Sequence, residues 1–237
     1  MIRNLKALGL AMAAAFAFSA IAASGASAQQ GVLTSDGPVT LTATENKEGL
    51  NALTSFEGKT ECPGSTYTGH KFDVTPHELI PNQATTATLT PHYKQADCIS
   101  EDAGGTVRSS TVHMNGCDYV FHLGETTGGE HTYGVTADVV CPKDKHIQVT
   151  VHTDQEHGPF TRVCTVTVGP QTGLKGAHVT TDTANHDLDI KGTFTDIAVT
   201  KSGLCGHAEE AKGEFHIDAT VTGHNAEGKA TGITVTH

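Results

Sequence analysis

The sequence predicts an all-β protein: β-sandwich-like modules of short antiparallel strands, linked by disulfides, behind an N-terminal signal helix. Three observations predict it. After residue 37, apolar and polar residues alternate with period two over most of the chain, and the residues that alternate are Val, Ile, Thr, Phe and Tyr, which suit a pleated surface. Gly- and Pro-rich turns separate these runs at fairly regular intervals. All six cysteines follow an export signal, and an even number of cysteines in an exported chain favours disulfides over free thiols.

The export signal is residues 1–28. Arg3 and Lys6 supply a short positive start, and Ala7 to Ala23 is apolar apart from Gly9 and Ser19. Ala26-Ser-Ala28 then places small residues where a signal peptidase needs them, so the mature chain is expected to begin near Gln29. No later apolar run approaches the ~20 residues that a membrane helix requires. The expected product is a secreted chain, extracellular or periplasmic, with no membrane span after cleavage. It carries thirteen basic and 26 acidic residues, a formal balance of −13. Such a surface repels phosphate backbones and anionic lipid, which argues against nucleic acid as a partner.

The alternating runs follow in order. Val39, Leu41 and Ala43 share a face, opposite Thr40, Thr42 and Thr44. Cys117, Tyr119, Phe121 and Leu123 form the next clear stripe, followed by Tyr133, Val135, Ala137, Val139 and Cys141. Ile147, Val149 and Val151 continue the pattern, as do Cys164, Val166 and Val168. Leu188, Ile190 and Phe194 share a face, but Ile197 and Val199 have changed phase, which one extra residue near Thr195 explains as a β-bulge. Phe215, Ile217, Ala219 and Val221 are expected to pair with Ile233 and Val235 across the turn Gly223–Gly228. The one candidate for a helical turn is Glu45 to Phe56.

Gly169-Pro170 and the loop around Gly104-Gly105 divide the mature chain into three modules, 29–108, 109–170 and 171–237. The first and last share a cysteine, a Gly-containing turn and an aromatic strand, as in Tyr67 to Asp73 and Gly213 to Asp218, and are candidates for a distant repeat. The core is expected to be thin. The mature chain has ten aromatic side chains and no Trp, so cross-links are expected to help by limiting the unfolded chain.

Cys62, Cys98, Cys117, Cys141, Cys164 and Cys205 allow fifteen complete pairings. From the strand faces, Cys141 is expected to pair with Cys164, since each sits on the apolar face of its own run. Cys98 with Cys117 and Cys62 with Cys205 complete the set. No CxxC is present, so neither a redox motif nor a zinc ribbon is indicated.

Fifteen histidines raise the question of a metal. By the alternation, His113, His122, His146, His152 and His216 fall opposite the apolar faces, where side chains meet water. There is no HExxH, and the segments His152 to His157 and His186 to Asp189 read as ordinary loop or strand chemistry. No metal site and no cofactor are predicted. Nor does catalysis find support: the mature chain lacks a Gly-x-Ser-x-Gly elbow, and the cysteines are expected to be oxidised. Asp187 and Asp189 would point the same way from a strand, but few aromatics are available to line a sugar-binding groove around them.

The stretch Met114-Asn-Gly-Cys-Asp-Tyr-Val-Phe-His122, followed by Val139-Val-Cys-Pro142, Ile147-Gln-Val-Thr-Val151 and Cys164-Thr-Val-Thr-Val168, resembles secreted β-rich proteins of bacteria such as actinobacteria. It covers mainly residues 109–170. It implies a cysteine-linked β module in an exported bacterial protein and brings no catalytic residues with it. Two function classes follow. One is a noncatalytic exported β protein that binds a protein, a surface polymer or another partner outside the cell. The other is a secreted metal-binding protein or hydrolase that uses His, Asp and Glu loops.

Overall fold

The computed structural model describes residues 30–46, 51–55, 58–62, 64–69, 83–93, 98–102, 105–127, 131–152, 163–203 and 210–237. The export segment 1–28, Cys205 and the loop residues 153–157 lie outside these residues. The described chain is all-β and antiparallel, with disulfide-bonded cysteines.

Two long strands organise it: β15 (Asp187–Gly203) and β16 (Glu210–His224) pair along most of their length. Because β16 holds one edge of β15 throughout, both strands on the other edge lie in line. β13 (Val163–Val168) pairs with the second half of β15 and β14 (Gln171–Asp182) with the first. The same relation propagates outward. β11 (Thr132–Val140) and β12 (Ile147–His152) pair with β14 and β13, and β10 (Asp118–Thr126) and β9 (Val107–His113) pair with β11 and β12. Beyond them lie β7 (Thr86–His92) with β8 (Ile99–Asp102), then β5 (Thr66–Gly69) with β4 (Gly58–Glu61). Last come β2 (Thr40–Glu45) with β3 (Ala52–Ser55), and both return to β16.

The sheet therefore closes on itself as a single up-and-down barrel of eight long staves: β2–β3, β4–β5, β7–β8, β9–β10, β11–β12, β13–β14, β15 and β16. At about 3.3 Å per residue, a stave the length of β15 extends for roughly 55 Å. Among the described residues, closure pairs both long edges of the sheet.

Six staves are interrupted near the middle, and β15 carries a bulge there, with the register shifting between Phe194 and Ile197 and Asp196 at φ 61°. The bulge is where the phase change in the sequence places it. Turn signals thus have two destinations in this fold. Some make hairpins at the barrel ends, and others, such as Met114-Asn-Gly-Cys117 and Pro142-Lys-Asp-Lys145, make short loops at the waist of a continuing stave. One sheet and one hydrophobic cluster run through segments 29–108, 109–170 and 171–237. In the described part of Glu45 to Phe56 the backbone is strand and bend, not helix.

A small sheet closes one end. β1 (Val32–Ser35) pairs with β18 (Ile233–Thr236) on one side and β6 (Gln83–Ala84) on the other. Its Leu33, Ala84, Ile233 and Val235 are buried, and it is tied to the rim by bonds from Gly31 N to Gly124 O, Ile233 N to His186 O and Val235 N to Thr181 Oγ1. This corrects the expected hairpin: across the turn β16 pairs with the short β17 (Ala230–Thr231), and Ile233 and Val235 leave to join β1. Gly232 lets the chain cross His186, whose Cβ lies where a side chain at that position would go.

The alternating faces now have directions. Leu41, Leu89, Phe121, Val135, Val179, Ile190, Val199 and Val221 point into the barrel and are buried. The outer face carries Thr, His, Asp and Lys, in contacts such as Thr42 with His224, His122 with Asp138 and Thr193 with His216. A barrel that crosses a bilayer turns its apolar band outward instead. Among the described residues no helix is long and apolar enough to cross a membrane.

The disulfides are Cys62–Cys98 and Cys117–Cys141, and Cys164 is also disulfide-bonded. The expected Cys141–Cys164, Cys98–Cys117 and Cys62–Cys205 pairs are therefore corrected. The reason lies in the staves. Cys141 sits at the waist and Cys164 faces Val151 towards the far end, because β12 continues β11 instead of turning back beside it.

Candidate functional site

Aromatic side chains converge at the waist of the barrel. Tyr67 from β5, Tyr93 just beyond β7, Tyr119 and Phe121 from β10, Phe194 from β15 and Phe215 from β16 all point inward. Tyr67 meets Tyr93 edge to face at 6.3 Å, Tyr119 packs on Phe215 at 5.8 Å, and Phe121 lies 6.2 Å from Phe194. Rings at these separations form a continuous lining. Large rings from separate staves do not fill the space between them completely, and a cavity of about 60 Å³ remains. That is several times the space one water needs. Its wall is mostly apolar and includes Ala137, Val149, Leu174 and Ile197. A second void nearer the capped end is about 20 Å³ and wholly apolar.

Asn51, Thr60, Tyr93 and Tyr119 bring polar side chains to the main cavity, and the Thr60 hydroxyl is engaged with Ser100 Oγ at 2.6 Å. Asn51 is 2% exposed and lines the wall. Its Oδ1 accepts from Asp218 N at 3.0 Å, while its Nδ2 is buried with no hydrogen-bond partner among the described residues. Glu45 follows Leu41 and Ala43 on the inner face of its stave. Its two carboxylate oxygens accept from Asn51 N at 2.9 Å and Gly64 N at 3.0 Å, joining the interruptions of two neighbouring staves. The Tyr93 and Tyr119 hydroxyls stand 3.4 Å apart in the wall. Tyr67, 1% exposed, lies behind Tyr93 in the same row of rings.

Burial pushes all three phenols well above the ordinary tyrosine range. Neighbouring tyrosines add to the rise, as does the Glu45 carboxylate for Tyr67 and Tyr93. At any ordinary pH these groups are neutral and keep their protons, so the wall offers O–H and N–H donors and no cation.

The sequence-derived candidates lie elsewhere. Cys62 reaches the cavity wall, but as half of a disulfide, and Cys98, Cys117, Cys141 and Cys164 are likewise oxidised. Histidines of the described strands stand on the outer face: His122 Nε2 is 2.9 Å from Asp138 Oδ2, and His216 is 2.8 Å from Thr193 Oγ1. Asp189 accepts from Thr220 at 2.7 Å on the same outer surface, and Asp187 stands opposite Asp182 in the ladder. Among the described residues no three His, Cys, Asp or Glu side chains gather as metal ligands. Residues 154–157, part of the His152 segment, lie outside the described residues.

Asn51, Glu45 and the three tyrosines were not singled out from the sequence. The alternation does put Tyr67 and Tyr119 on apolar faces, and a hydroxyl on an inward stripe is the signal that points to them. Compared with family models, curated proteins and solved structures, the chain matches none.

Proposed function

We propose that the mature chain is an exported, noncatalytic binding protein that holds one small, mainly apolar molecule inside the waist of the barrel. The observation that carries this reading is the aromatic-lined cavity enclosed by the staves. Small-molecule sites are concave and predominantly apolar, with a few placed polar groups, and apolar cavities inside proteins stay dry and accept apolar guests. Export rests on the signal-like segment 1–28 and on cysteines that are oxidised wherever they are described.

The test uses isobutene as the probe, since a space of about 60 Å³ suits only a few heavy atoms. A molecule that binds only the folded state raises its melting temperature in proportion to the logarithm of its concentration above Kd. The wild-type mature chain should show that rise, and Ala137→Leu, which fills the cavity from a buried wall position, should not. No rise in the wild-type protein up to the solubility of isobutene would refute the reading.

A further inference from the structure

Resting on that reading, we propose that the waist cavity selects an uncharged ligand bearing a hydrogen-bond-accepting oxygen, a ketone, ester or amide carbonyl on an apolar body. Protons outnumber free acceptors in the wall. Asn51 brings a buried amide N–H₂ without a partner among the described residues, and its own oxygen is already engaged by Asp218 N. The hydroxyls of Tyr67, Tyr93 and Tyr119 stand in a row, and bonds along it use two of their three protons. The third is left over at whichever end the row points to, and that end is Tyr119 when an acceptor lies in the cavity. The carboxylate in reach of this wall, Glu45, has both oxygens bonded to backbone N–H groups. Donors are therefore in surplus at the polar end of an otherwise apolar space, and a buried donor left without an acceptor destabilises the fold. A ligand oxygen placed between Asn51 Nδ2 and the tyrosine pair removes that cost.

Charge narrows the choice. Among the described residues no Lys or Arg lines the cavity, so a carboxylate ligand would lose its hydration without gaining a counter-ion, and it would face Glu45. An ammonium ligand would face a wall of donors. A neutral carbonyl meets neither obstacle. A hydrocarbon enters but leaves the donors unsatisfied.

Acetone, isobutene, acetate and ethylammonium test this, with affinities measured on the intact mature chain. Acetone is more soluble in water than isobutene, so the quantity to compare is the ratio of their Kd values across variants. In Tyr93→Phe/Tyr119→Phe, which keeps both rings, the ratio of acetone Kd to isobutene Kd should rise about five- to tenfold, as for the loss of a neutral hydrogen bond. The carbonyl stretching band of bound acetone should lie below its position in hydrocarbon solvent in the wild-type protein and return towards it in the double variant. The band in the wild-type protein needs no mutation, so poor folding of the variant leaves the test intact. An unshifted band, an unchanged ratio, or tighter binding of acetate or ethylammonium than of acetone overturns the inference while the binding reading stands. Failure of both acetone and isobutene to bind the wild-type chain overturns that reading and this inference with it.

Discussion

Cys117 and Cys141 face each other one register step beyond the Asp118–Val140 pair, so their disulfide continues the β10–β11 ladder to the barrel waist. Cys62 and Cys98 do the same one step beyond Glu61–Ile99. Each bridge stands where two neighbouring staves are interrupted together and ladder hydrogen bonds are missing. Peptide mapping of the unreduced protein should find these two links, with Cys164 joined to Cys205, the cysteine that remains. A fragment linking Cys141 to Cys164 would contradict the arrangement. The pair Cys117→Ala/Cys141→Ala releases a loop with a sequence separation of 24. On chain-entropy grounds this should lower stability by about 3 kcal/mol, read from urea denaturation.

Gly176 and Gly192 allow two staves to approach where side chains would collide. A Cβ on Gly192 would lie 2.4 Å from Gly176 O and 2.5 Å from Ala177 Cα, at φ +145°. Gly192→Ala should therefore cost at least about 2 kcal/mol, because the obstacle is backbone and not the end of a flexible side chain. Gly228 also has a positive φ, +77°, but nothing lies within 4 Å of its Cβ position. Gly228→Ala should cost only about 1 kcal/mol, the left-handed penalty alone. Equal denaturation midpoints for the two variants would show that stave contact adds nothing.

The end sheet holds through a few apolar residues. Ile233 is fully buried, and Leu33 stands opposite both Val235 and Ala84. Ile233→Ala should cost about 2–5 kcal/mol, the range for emptying a well-packed site. Thr234, on the other face of the same strand, bonds Thr34 Oγ1 at 2.7 Å, and Thr234→Ala should cost about 1 kcal/mol. If the Ile233 change is the milder of the two in thermal denaturation, the sheet does not seal the barrel.

The sequence made the direction of each stripe legible, and it made the β15 bulge legible because a phase change between Phe194 and Ile197 has few other causes. It could not distinguish a hairpin from a waist loop. Pro142-Lys-Asp-Lys145 carries the same turn chemistry whether the chain reverses or resumes its course, and here the Lys145 N to Pro142 O bond closes a loop between β11 and β12 in one stave. The disulfide pairing followed that reading and failed with it. The partner of Ile233 and Val235 was equally hidden, since their alternation suits any sheet. The cavity was beyond reach for a different reason. Tyr67, Tyr119, Phe194 and Phe215 each read as an ordinary core residue, and only closure of the barrel brings them to one level.

The last prediction concerns pH. In the unfolded chain Tyr67, Tyr93 and Tyr119 ionise near pH 10, whereas in the folded barrel burial raises all three well above that range. Below about pH 10 both states hold these protons, so the stability is fully present. As the pH rises past 10, the unfolded chain releases protons that the folded one retains, and stability falls by up to about 1.4 kcal/mol per pH unit for each tyrosine. Three such groups together remove roughly 4 kcal/mol per unit at the steepest, enough to exhaust the ~5–15 kcal/mol typical of a domain within a few units. The phenolate absorbance of these tyrosines should thus appear together with loss of the β-sheet circular dichroism signal in one cooperative alkaline transition. Tyr93→Phe removes one of the three titrating groups and should lessen the pH dependence of stability above pH 10 by about a third. Gradual ionisation of Tyr67, Tyr93 and Tyr119 near pH 10 with the sheet signal intact would show that the waist is open to hydroxide and solvent. That result would contradict the enclosure of Tyr67, Tyr93 and Tyr119 on which the binding site depends.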